Sequence, residues 1–119
     1  MESAPVILNV ETALAACRGD ARLARALLER YRADLPEERA ALLEARAAAS
    51  PEWETVRKRV HRLCSGSAYL GAERIADAAR TLEESIARGS PDAPGRASQA
   101  LVGAIQDFLN ASLAEAFSK

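Results

Sequence analysis

The chain has 119 residues, with 16 Lys and Arg against 17 Asp and Glu, a net charge of −1, 49% hydrophobic residues and 4% aromatic ones. That length fits a single domain over residues 1–119, one able to bury about two-thirds of its unfolded surface without disulfides or metals. The balanced charge argues against a nucleic-acid binder driven by counterion release, and the uncharged run 97–106 is far short of the ~20 apolar residues of a membrane span.

Alanine, leucine, arginine and glutamate dominate, and no stretch alternates polar with apolar residues, so the chain reads as all-α with no strands. Asn9 is placed to cap a short helix over Val10 to Arg18, stopped by Gly19. Asp20 then caps a helix whose Leu23, Leu27, Leu28 and Tyr31 form an apolar stripe. Leu35, Leu42, Leu43 and Ala47 continue it past Pro36, which leaves either one long kinked helix or two short ones. Ser50-Pro51-Glu52 has the composition of a helix start, with Ser50 as N-cap. From there Trp53, Val56, Val60, Leu63 and Leu70 share a stripe that ends at Gly71. Another helix spans about Glu73 to Arg88, with Ile75, Ala78, Ala79, Leu82 and Ile86 inward and Gly89 closing it. After the turn-rich segment from Ser90 to Gly95, a last helix buries Leu101, Ile105, Phe108, Leu109 and Phe117. Short connections make neighbouring helices antiparallel, which predicts an up-down four-helix bundle with a short extra N-terminal helix over one end.

The chemistry concentrates around His61, the only histidine. At about 100° per residue it points roughly 120° away from the mean direction of Trp53, Val56, Val60 and Leu63, and so faces solvent. Arg57, Lys58, Cys64 and Ser65 lie three or four residues away and share that face, and Arg62 adds a further charge. Ser65, Gly66, Ser67 and Ala68 keep the neighbouring surface low. An exposed imidazole, a cationic surround and little steric cover are what in-line phosphoryl transfer through histidine requires. Gly66 costs about 1 kcal/mol in a helix interior, for which the reasons are close approach by a partner or a bend at the helix end.

The segment His61-Arg62-Leu63-Cys64-Ser65-Gly66-Ser67-Ala68-Tyr69-Leu70-Gly71-Ala72, with Ile75 and Leu82-Glu83 beyond it, resembles the histidine-containing phosphotransfer (Hpt) domains of two-component phosphorelays. It is similar to those at the C-terminus of hybrid sensor histidine kinases. The resemblance implies a helical bundle, His61 as phosphoryl acceptor and donor between receiver aspartates, and no kinase activity of its own. It further implies phosphate stabilisation by Arg57, Lys58 and Arg62, and docking of a receiver domain over Cys64, Ser65, Gly66, Ala68 and Tyr69. No cofactor is expected on this chain, magnesium belonging to the receiver, and the expected partners are receivers and a hybrid kinase, met by a cytoplasmic monomer. The family usually carries lysine, or in some members histidine, three residues after the active histidine, and glycine at the fourth. Here Cys64 and Ser65 stand there, with the glycine displaced to Gly66. That departure sustains a second reading, a degenerate adaptor that docks a receiver or kinase without carrying phosphate.

The plainer alternatives are weaker. Arg57-Lys58-Arg59 reads by default as a solvated face, with Arg59 pointing elsewhere. His61 and Cys64 lack a second pair to complete a zinc site, and Cys64 reads as a packing residue at the core boundary. Two free cysteines, Cys17 and Cys64, suit a reducing compartment. A serine nucleophile with His61 as base is disfavoured, because no acid at helical spacing on that face would orient the ring.

Overall fold

The computed structural model describes residues 4–89 and 91–113, and Phe117 lies outside them. The described residues form five helices and no strand: α1 (Val10–Ala16), α2 (Ala21–Ala47), α3 (Trp53–Leu70), α4 (Glu73–Arg88) and α5 (Ala93–Asn110). Their ends follow local chemistry. The Asn9 carboxamide oxygen accepts from the Thr12 amide at 3.2 Å and the Asp20 carboxylate from the Leu23 amide at 3.1 Å. Gly71 and Gly89 close α3 and α4 in the left-handed conformation. Helix α1 stops at Ala16, two residues before its expected end, because Arg18 itself turns to φ +53° ahead of Gly19.

One expectation about a helix boundary is corrected, and one left open is decided. Ser50 does not cap α3: the helix starts at Trp53, after Glu52, with no side-chain cap. Pro36 neither ends nor divides α2, which runs unbroken for 27 residues. Its missing N–H falls on the exposed side of the helix, where water can serve the freed carbonyl, while Leu35 and Leu42 stay buried either side of it.

Ala24, Leu28, Leu35 and Leu42 of α2 face the core, together with Val60, Ile75, Leu82, Leu101, Ile105 and Phe108. The expected stripe on α2 is therefore rotated: Leu23, Leu27 and Leu43 are 47%, 37% and 44% exposed. Tyr31 packs edge-on against Phe108, with ring centroids 5.3 Å apart, and its hydroxyl pairs with that of fully buried Ser67. Burial holds the Tyr31 phenol well above the usual tyrosine range, so it stays protonated.

Helices α3 and α4 are joined only by Gly71 and Ala72. The chain before α1 folds back onto this turn. The Asn9 amide donates to the Gly71 carbonyl at 2.7 Å, the Asn9 side chain to Glu73 at 2.8 Å, and the Val6 amide to the same carboxylate at 3.1 Å. These donors hold the Glu73 carboxyl below its ordinary range. A Cβ on Gly71 would collide with the Asn9 carbonyl oxygen, so glycine here serves both the positive φ and the close approach of the N-terminal segment.

Candidate functional site

Two contacts set the register between α3 and α4. Near the middle of α3, His61 Nδ1 lies 2.9 Å from Glu83 Oε2, and one turn on, the Cys64 thiol donates to the Ala76 carbonyl at 3.4 Å. Rising numbers on α3 meet falling numbers on α4, so these two helices run antiparallel. His61 is exposed, its side chain 66% accessible, whereas Glu83 is tucked against the seam at 20%. A carboxylate only accepts, which assigns the ring proton to Nδ1 and leaves the Nε2 lone pair free. In that tautomer the arrangement presents an oriented ring nitrogen to solvent.

No acid on the face of α3 orients the ring, but Glu83 of α4 does. Helical spacing relates residues of α3 alone, and this acid comes from the neighbouring helix. The sequence pattern includes Leu82-Glu83 but gives Glu83 no such role. The available signal was its place next to buried Leu82, on the boundary of the inward face of α4.

The basic residues around His61 divide by their partners. Arg57 is tied along its own helix to Glu54, its Nε 3.0 Å from one carboxylate oxygen, and this pairing lowers the Glu54 carboxyl and raises the guanidinium from their ordinary values. Arg59 turns to α2 and donates to Glu38 at 2.7 and 3.0 Å. Lys58 and Arg62 are exposed, with no ion pair among the described residues. A fifth cation, Arg80, projects from α4 and pairs with Asp77 at 3.0 Å.

A family model described as Hpt domain matches residues 26–115. The chain belongs to the Hpt family. No curated protein and no solved structure gives a significant match. Hpt domains are phosphocarriers of two-component phosphorelays rather than enzymes, and they interact with receiver domains and kinases.

Within this Hpt domain the five residues singled out for docking fall into separate places. Ser65 and Ala68 are exposed on the His61 side of α3. Tyr69 is 59% exposed, with its hydroxyl donating to the Ala16 carbonyl at 3.0 Å. Cys64 is half-buried in the α3–α4 seam, and that burial pushes its thiol up, so it is the neutral thiol at pH 7. Gly66 points the other way, into a cleft of about 290 Å³ lined by Tyr31, Asp34, Leu35 and Glu38 of α2 and by Arg59, Arg62 and Leu63. A Cβ there would meet nothing within 4 Å. Nothing in the fold itself requires this glycine.

No helix among the described residues is long and apolar enough to cross a membrane.

Proposed function

We propose that His61 takes a phosphoryl group from the acyl phosphate of a receiver aspartate and returns it to the aspartate of a second receiver. The observation that carries this reading is the exposed imidazole fixed through Nδ1 by Glu83. In the forward step the Nε2–P bond forms as the P–O bond to the receiver carboxylate breaks. The ring then bears substituents on both nitrogens and a positive charge, which Glu83 offsets, and the Nδ1 proton stays in place. In the return step the same protonated ring leaves from phosphorus as neutral imidazole. The magnesium that assists both steps belongs to the receiver.

Lys58 and Arg62 supply unpaired cations for encounter and for the phosphoryl oxygens. The receiver docks over Ser65, Ala68 and Tyr69, and the apolar surface extends onto α2. Tyr31 meets Ser67 and Glu38 meets Arg59, so Leu27, one turn before Tyr31, comes alongside the turn of α3 that carries Tyr69. The finer architecture follows the same reading: one domain, with α2 to α5 as an up-down antiparallel bundle and α1 across one end.

The test is incubation with phosphorylated receivers in magnesium buffer, scoring acid-labile, alkali-stable label on the protein and on His61→Gln. The expected outcome is label on the wild type and none on the variant. A receiver that binds both but labels neither would replace the phosphocarrier reading with the adaptor one.

A further inference from the structure

We propose that Arg80 is the α4 arm of a phosphoryl clamp: it releases Asp77 when His61 is phosphorylated and closes on the phosphoryl oxygens opposite Lys58 and Arg62. The inference rests on His61 being the phosphorylated residue, and adds a binding group from a helix on which the sequence pattern pointed to none.

The position of Arg80 follows from the register. Glu83 holds the His61 ring and the Ala76 carbonyl holds the Cys64 thiol, so Arg80 lies on α4 between two points of contact with the stretch 61–64. Arg80 and Glu83 are three residues apart and share a helix face. Lining residues of a shallow surface depression, Ala68, Ala76, Asp77 and Arg80, show that this stretch of α4 opens onto the exposed side of α3 rather than the core. Cys64 offers no charge here, since its thiol is neutral and turned into the seam. Arg57 lies on α3 itself, paired with Glu54, and not on the α4 side. Arg80 is therefore the cation nearest in register to the ring on the α4 side.

Its present partner is easily exchanged. Arg80 and Asp77 are each 56% exposed, and a single solvent-screened ion pair holds little free energy. A phosphoryl group offers a guanidinium up to two negative charges and three acceptor oxygens in place of one carboxylate, in a geometry suited to bidentate pairing. The charged groups around such a phosphoryl are Glu83, Asp77 and Arg80 from α4, and Arg57, Lys58 and Arg62 from α3. The two α4 carboxylates repel it, which makes an α4 cation the more valuable.

Phosphoramidate tests the clamp without any receiver. Its P–N bond breaks as the Nε2–P bond forms, and ammonia leaves. The phosphoryl group on His61 is then titrated by ³¹P nuclear magnetic resonance in the full chain, with His61→Gln as blank. We expect Arg80→Gln to raise the phosphoryl pKa so that its acidity falls about threefold, the scale of an exposed ion pair, and Arg80→Lys to recover part of it. Asp77→Asn should shift the titration the opposite way, and by less in the Arg80→Gln background, where only its direct repulsion remains to be removed. A merely structural role for Arg80 would alter the melting temperature and leave the titration alone. Identical titration curves for wild type and Arg80→Gln overturn the clamp, even if receivers label His61. Shifted curves with no receiver able to label the protein support the clamp and remove the relay. A wild type that no donor phosphorylates overturns both.

Discussion

Helix α3 has two seams of opposite character. Toward α4 it is closed: Ala76, Ala79 and Leu82 are buried, the connection is two residues long, and the seam carries the His61–Glu83 contact. Toward α2 it is open, with a cleft beside Gly66, a bridging Arg59–Glu38 pair and, at the N-terminal end of α2, leucines left in solvent. Small residues let the α3–α4 backbones approach closely enough for short side chains to touch, which fixes an imidazole to within a hydrogen bond. The α2 side keeps apolar surface that the fold itself does not use. Precision and adhesion are thus assigned to different faces of one helix.

The sharpest way to break this comparison is to truncate an equivalent side chain on each side. Leu82→Ala removes a fully buried side chain and should cost about 2–5 kcal/mol in denaturant unfolding. Leu27→Ala on the open side should stay within about 0.5 kcal/mol while weakening receiver binding. Equal stability losses would show that the two seams do not differ as described.

Two glycines give the next largest contrast. Gly71→Ala forces a side chain into φ +84° and against the Asn9 carbonyl, with an expected loss of about 2–4 kcal/mol. Gly66→Ala has open space in a helix interior and should raise stability by up to about 1 kcal/mol. If Gly66→Ala also leaves phosphotransfer unchanged, no partner backbone approaches that position.

The smallest effect concerns pH. The Glu73 carboxyl is held low by Asn9 and the Val6 amide, so its contribution is present above the ordinary carboxylate range and is lost as pH falls through the lowered value. Protection of the Val6 and Arg74 amides, taken relative to the intrinsic exchange rate at each pH, should fall on acidification, and Glu73→Gln should abolish that pH dependence.

Much of the helical framework is legible in the residues. Asn9, Asp20, Gly71 and Gly89 act on their own neighbours, and their chemistry predicts the boundaries they make. Ser50 misled because a cap signature states only a preference, and the backbone there becomes helical two residues after Pro51. Pro36 was undecidable from sequence, since its effect depends on whether its side of the helix meets water. At the site, His61 and the cations of α3 follow from helical periodicity. Glu83 and Arg80 do not, because periodicity relates residues within a helix and is silent on the register between two. The rotation of the α2 stripe has the same origin: Leu23 and Leu27 are as apolar as Leu28, and only the neighbours decide which is covered.

The hairpin made by α3 and α4 also bears on the order of assembly. His61 and Glu83 are 22 residues apart, whereas the clasp between Asn9 and Glu73 spans 64. Closing the shorter loop costs about 1 kcal/mol less chain entropy. The nucleophile and its orienting carboxylate therefore meet through a local event, and the N-terminal segment can lock down afterwards on a turn already formed.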